Sequence, residues 1–210
     1  MKNFPNVTVV DHPFVIDSLA HLRDEKTDIR RFRYHSDQIC HFLFAQAIEG
    51  LTFKTVEIQT PIMQTQVQKL ADDVIILPIL RAGLAMLFGA IHLLPKSKVG
   101  FAGIKRNEDT ALPMEYYWNM PEFKENSVLI VTDPMLATGG TIKHIIDKID
   151  KSKCKEVRVV SVVSAPEGIK TIRDAYPDIK IFTAAIDEKL NSKAYIQPGL
   201  GDYGDRYFGT

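Results

Sequence analysis

Five short runs of nearly unbroken apolar residues, alternating with helical patterns, constrain this chain more than any other feature. They are VIILPIL (Val74–Leu80), VGFAGI (Val99–Ile104), SVLIVTD (Ser127–Asp133), VRVVSVVSA (Val157–Ala165) and IKIFTAAI (Ile179–Ile186). A strand that is apolar on both sides must be covered on both faces, which a parallel sheet between helical layers provides. Helical patterns over Leu84–Leu94, from Gly140 to about Lys151, and from Pro166 to about Ala175 supply covering elements. The fold class expected is therefore α/β, with a parallel sheet of about five strands. Upstream, Val7–Val10 is β-prone. Pro13–Asp24 and Asp28–Leu51 read as helices, with Phe14, Leu19 and Leu22 on the first and Ile29, Phe32, Ile39, Phe42, Leu43 and Ala47 on the second. Phe53–Thr60 alternates like a strand.

Two segments break this rhythm. Lys105–Asn126 is long, polar and aromatic between two buried strands, so it is either a hairpin excursion or a mobile flap. Leu190–Thr210 is dense in glycine and aromatic residues, too irregular for helix or strand and too apolar for a disordered end.

The 210 residues suit one domain, and 26 basic against 26 acidic side chains leave no formal net charge. That excludes a protein that grips nucleic acid or an anionic membrane by bulk charge; an anionic ligand must be held locally. The two cysteines, Cys40 and Cys154, have no ligand spacing, which disfavours a disulfide framework or zinc site and favours a reducing cytoplasm. The start, MKNFPNVTVV, does not indicate export, and Pro78, Arg81 and Gly83 interrupt the apolar stretch Val74–Leu94 that would otherwise suggest a membrane span. The six histidines show no HxxxH or HxH pattern and read as helix-surface or core residues. Trp118 with Tyr116 and Tyr117 reads as packing rather than a base-stacking platform, since no basic stripe accompanies it.

The chemistry concentrates in VLIVTDPMLATGGT (Val128–Thr141). A buried strand ends in an acid, and a loop of small residues then enters a helix. Glycines let loop N–H groups converge on an anion, and the helix start adds unpaired donors and a positive dipole end. Thr138 and Thr141 hydroxyls add donors. An ordinary strand-to-helix turn with a capping Thr-Gly-Gly is the alternative on local sequence. No GxxxxGK[ST] or GxGxxG pattern is present.

Asp133-Pro134-Met135-Leu136-Ala137-Thr138-Gly139-Gly140-Thr141 resembles the phosphoribosyl-pyrophosphate (PRPP) signature of the type I phosphoribosyltransferases, in the wording of the uracil phosphoribosyltransferase branch. An acid followed by proline replaces the two acids of most relatives. LPILRAGLAM resembles that branch's pyrophosphate loop, and YIQPGLGDYGDRYFGT its uracil-binding segment. The resemblance implies a single phosphoribosyltransferase domain over residues 1–210, with a core at about 60–185 and a small hood from about 1–59 and 186–210.

By this resemblance, Asp133 hydrogen-bonds the ribose hydroxyls of PRPP, and Pro134, Met135 and Leu136 lead into the loop Ala137–Thr141, which holds the 5′-phosphate. Arg81 takes the pyrophosphate, beside a non-proline cis peptide expected between Leu80 and Ala82. Arg106 is the flexible-loop arginine, reaching PRPP when the flap closes. The main chain of Ile196 and Gly201 reads the uracil edge, Tyr195 and Tyr203 shape the pocket, and Asp202 faces PRPP. Arg106 and Asp202 are the catalytic candidates.

The implied reaction is uracil plus PRPP giving uridine monophosphate (UMP) and pyrophosphate, a step of pyrimidine salvage. Few carboxylates surround the motif, so no protein residue is assigned as a direct metal ligand and magnesium is expected to arrive on PRPP. The resemblance further implies a homodimer or higher homo-oligomer, with the aromatic excursion able to serve as an arm, and GTP as an effector in parts of the family. Two other readings stay open: a phosphoribosyltransferase-like RNA-binding regulator of pyrimidine genes, and a purine phosphoribosyltransferase.

Overall fold

The computed structural model describes residues 4–106 and 113–210. After β1 (Val7–Val9), helix α1 (Pro13–Arg23) opens with proline in its first turn and His12 accepting the Phe14 N–H. Helix α2 (Ile29–Ala47) starts at Asp28, whose carboxylate accepts the Arg31 N–H at 2.9 Å. A hairpin of β2 (Phe53–Gln59) and β3 (Gln64–Leu70) follows. Then come β4 (Asp73–Leu80), α3 (Gly83–Leu93), the two-residue β5 (Lys98–Val99), β6 (Phe101–Arg106) and β7 (Pro113–Asn119). The second half runs β8 (Ser127–Thr132), β9 (Met135–Leu136), α4 (Gly140–Asp147), β10 (Glu156–Ser164), α5 (Pro166–Ala175) and β11 (Lys180–Ile186). It ends with β12 (Lys189–Leu190), β13 (Ile196–Gln197) and α6 (Tyr203–Phe208).

The central sheet has the order β1-β11-β10-β8-β4-β6-β7. All neighbours are parallel except β7, which returns antiparallel along β6. The five apolar runs are its five inner strands, β11, β10, β8, β4 and β6. Short β1 extends one edge, and β7 makes the excursion after Lys105 a hairpin. Residues 107–112, within the Lys105–Asn126 segment read as a hairpin or a flap, lie outside the described residues.

Every residue of β8 is buried, as the unbroken apolar run requires, and its two sides serve different cores. Val128 and Ile130 join a cluster with Leu22, Phe32, Leu43, Met86, Ile196 and Tyr203, so α1, α2, α3 and the chain end cover one face. Leu129 and Val131 join Ile142, Ile145, Ile146, Ile169 and Ile172 on the opposite face, beneath α4 and α5. Both chain ends therefore share a core with the sheet. Buried Arg158 secures α2 to β10: its guanidinium donates to the Ala47 carbonyl, to the Glu49 carbonyl at 2.9 Å and to Glu156 at 2.7 Å.

Two expectations are corrected, and the polar run Gln64–Leu70, which shows no apolar pattern of its own, is a strand held by pairing with β2. Helix α4 ends at Asp147 rather than about Lys151. The tail holds a helix, α6, made possible because Asp202 caps it, accepting the Asp205 N–H at 2.9 Å, and Gly209 closes it in the left-handed conformation at φ 81°.

Candidate active site

The crevice outside the carboxyl ends of parallel strands is where such sheets bind ligands. Strand β8 reaches it at Thr132, and the chain stays stitched to β10 beyond that point. The Asp133 N–H donates to the Val160 carbonyl at 3.2 Å, and the Pro134 carbonyl accepts from Val162 and Val163, each at 3.0 Å. Proline fits here because its carbonyl, not an N–H, is what the neighbouring strand uses.

The loop then tightens. Ala137 N–H donates to the Met135 carbonyl at 2.9 Å, Thr138 Oγ1 accepts the Gly140 N–H at 3.4 Å, and Gly139 turns into α4 at φ 79°. Among the described residues, none accepts a hydrogen bond from the backbone N–H of Thr138, Gly139 or Thr141. These groups stand at the start of α4, the positive end of its dipole. Asp133, Met135 and the loop line a recess of about 150 Å³ that Ala194, at φ 62°, closes from the tail.

Two glycines set the shape of that loop. A Cβ on Gly139 would stand 2.8 Å from the Gly168 carbonyl, and one on Gly168 would stand 2.4 Å from the Ala137 carbonyl. The first turn of α5 thus buttresses the anion loop by backbone contact. Gly168 was not singled out from the sequence; its signal is PEG at the start of a helix, where glycine is a poor helix former.

Asp133 sits half-buried at the floor. Burial pushes its carboxyl up to about 7, with the charge of Asp202 adding and the Met135 N–H, 3.3 Å from Oδ1, opposing. The charge of Asp202 thus reaches Asp133 through space. Asp202 is exposed, and its Oδ1 is the acceptor that caps α6.

The Leu80–Arg81 peptide is cis, in the window expected for it. Gly83 is needed just after it, since a Cβ there would come within 2.5 Å of the Thr132 carbonyl. The Arg81 side chain is largely exposed and meets Asp205 at 3.3 Å, which brings the turn after β4 against the first turn of α6. Arg106 ends β6 opposite Pro113, and its side chain lies outside the described residues.

The Tyr195–Tyr203 segment divides. Ile196 is 5% exposed and Tyr195 58%. Tyr203 departs from the expected pocket wall: its side chain is 1% exposed, edge-on to Phe32, and donates its hydroxyl to Ser36 at 2.6 Å. It anchors the segment to α2, and burial raises its pKa well above that of an ordinary tyrosine. Gly199 and Gly201 both have positive φ, and Gln197–Pro198 is cis. Trp118 packs on the α4 face with Lys148 4.1 Å above its ring, as packing rather than base stacking requires. Among the described residues, His21 and His35 do converge with Asp17 across α1 and α2, a grouping that linear spacing conceals.

A family model of uracil phosphoribosyltransferase matches residues 9–210. The chain belongs to the uracil phosphoribosyltransferase family. It is 42% identical over 205 residues to uracil phosphoribosyltransferase of Campylobacter curvus, covering 98% of this chain and 99% of that one. A solved protein of Aquifex aeolicus superposes with a TM-score of 0.92 at 36% identity, over 97% of this chain and 98% of that one. Adenine phosphoribosyltransferase of Trypanosoma brucei superposes at 0.61 with 13% identity, over 96% and 90% of the two chains, and shows the shared type I fold alone. In this family setting, the acid-proline pair Asp133-Pro134 and the loop after it stand at the carboxyl edge of the sheet.

Proposed function

We propose that this chain transfers the 5-phosphoribosyl group of PRPP to N1 of uracil, giving UMP and pyrophosphate. The observation that carries the reading is the set of N–H groups at Thr138, Gly139 and Thr141 that have no acceptor among the described residues, beside Asp133, at the sheet edge of a uracil phosphoribosyltransferase family member. The loop takes the 5′-phosphate, which needs no basic surface because backbone donors and a helix start neutralise it. Asp133 accepts from the vicinal ribose hydroxyls, a task for which its carboxylate form is required. Arg81 meets the diphosphate in competition with Asp205, a weak exposed partner. Arg106 approaches from the hairpin, and the main chain of Ile196 and Gly201 reads the base while Tyr195 borders it.

In the reaction, the N1–C1′ bond forms, the C1′–oxygen bond to diphosphate breaks with its electron pair leaving on that oxygen, and the N1 proton is lost. The sugar resembles an oxocarbenium ion between these events, so orientation and charge at the leaving group carry the rate. Asp202 either receives the N1 proton or orders the PRPP side of the cleft; one of its oxygens is committed to the α6 cap. The donor set fits magnesium delivered on PRPP: the cleft offers Asp202 and an Asp133 whose burial favours the neutral acid. When bound, magnesium neutralises diphosphate charge.

Free Cys40 and Cys154 support a reducing compartment, the cytoplasm, and among the described residues no helix is long and apolar enough to cross a membrane. A homo-oligomer and a GTP effector come from the family reading. The test is competition of uracil, hypoxanthine and adenine for labelled PRPP, with and without magnesium. UMP formed from uracil alone, and only with magnesium, is expected. Turnover of a purine instead, or a salt-dependent RNA gel shift without turnover, would overturn the reading.

A further inference from the structure

The C-terminal end of α1 touches the base-binding segment through two arginines that face opposite ways. Arg23 reaches from α1 into the segment. Its Nη1 donates to the Gly199 carbonyl at 2.7 Å and to Asp187 Oδ2 at 3.0 Å, and its Nη2 donates to Asp187 Oδ1 at 2.5 Å. Asp187, with its side chain 4% exposed, stands just past β11, where its N–H is tied to the Ser164 carbonyl at 2.8 Å. Its Oδ2 also accepts the Gly199 N–H at 2.9 Å. Arg206 reaches back from α6, donating to the backbone carbonyls of Leu200 at 2.7 Å, of Asp24 at 2.6 Å and of Leu22.

We propose that Arg23 and Asp187 are positioning residues for uracil recognition, gripping both main-chain polar groups of Gly199 and so setting the register of the peptide groups at Ile196 and Gly201. The proposal rests on the reading of that segment as the uracil site. Both the N–H and the carbonyl of one glycine are held by one ion pair, so neither of the two peptide groups flanking Gly199 can rotate without breaking a charge-assisted bond. Gly199 transmits the constraint: at φ 64°, a Cβ on it would lie 2.3 Å from the Ile196 carbonyl, so the turn is folded tightly onto the residue whose main chain faces the base. A planar guanidinium satisfies the two Asp187 oxygens and the Gly199 carbonyl together, which an ammonium cannot do in the same geometry. A buried ion pair contributes little net stability beside an apolar substitute, so orientation is what this one supplies.

The experiment is steady-state kinetics with melting temperatures on R23K, R23M and the double variant R23M/D187L. The double variant leaves no unpaired buried charge, where R23M alone orphans Asp187, and its melting temperature reports whether the fold holds without the pair's bonds to Gly199. Expected are a tenfold or greater rise in KM for uracil in R23M and the double variant, a smaller rise in R23K, kcat within threefold, and KM for PRPP within twofold. A double variant with uracil KM within twofold of the parent would overturn the proposal, as would parallel rises in both KM values, the signature of general loosening. A parent chain with no saturable dependence on uracil would instead sink the uracil-site reading itself.

Discussion

At the scale of single residues, the ribose role proposed for Asp133 couples activity to stability. Its carboxyl titrates near 3.8 when unfolded and about 7 in the fold, because burial penalises the charge. Between those values the folded chain holds a proton that the unfolded chain has released, so this group makes stability fall as pH rises from about 4 to 7. Asp133→Asn never ionises and should gain about 1–3 kcal/mol over the parent at pH 8, with little difference at pH 4, in urea melts at the two pH values. The same variant should lose at least tenfold in kcat/KM for PRPP, and the parent's kcat/KM should climb between pH 6 and 8 as the carboxylate forms. Unchanged kinetics in D133N would remove Asp133 from the ribose site. Asp202→Ala separates two roles: loss of PRPP binding with the pH profile unaltered ends the general-base assignment. The acid at the strand end was legible in the sequence because a charge closing an apolar run has few structural excuses. The burial of Tyr203 was not, since a tyrosine among glycines reads alike whether it faces a pocket or reaches back to Ser36.

At the scale of elements, the anion loop and the first turn of α5 form one unit through backbone contact. Gly168→Ala places a methyl 2.4 Å from the Ala137 carbonyl and should displace the loop. An increase of at least fivefold in KM for PRPP and a cost of about 1–3 kcal/mol in denaturant melts are expected. Gly140→Ala meets only Thr138 Oγ1, at 3.6 Å, and should fold as the parent does; a G140A chain destabilised as much as G168A would contradict this packing account. The inner strands and α5 were readable because each is apolar on the faces it buries. Strand β3 was not, because QTQVQKL is paired with β2 in a two-stranded sheet of its own and has little apolar surface to hide. Helix α6 was missed for a related reason: six residues give too short a period to detect, and its cap, Asp202, was already assigned to the ligand.

For the whole molecule, the hairpin β2–β3 is the feature a lone chain explains least. It is a separate two-stranded sheet, and Ile62 and Met63 at its tip are 92% and 62% exposed. An isolated hairpin is marginal in water and gains from cover. It joins the aromatic excursion, where Tyr116 and Tyr117 are 53% and 45% exposed, as a candidate arm for the proposed homo-oligomer. On that proposal, replacing both hairpin-tip residues by Asp should shift sedimentation toward the monomer while the sheet and site persist; an unchanged sedimentation coefficient would rule the tip out of the interface. Zero net charge excluded bulk anion attraction from the outset, and the proposed alternative rests on a few backbone donors. What composition and spacing left unread were the contacts between distant segments, such as Arg23 with Gly199 and Gly139 with Gly168.

The most direct measurement is a crystal structure with ribose 5-phosphate. Phosphate oxygens should lie within about 2.7–3.2 Å of the N–H groups of Thr138, Gly139 and Thr141, with both ribose hydroxyls donating to Asp133. Phosphate bound elsewhere, or a ribose turned away from Asp133, would contradict the account.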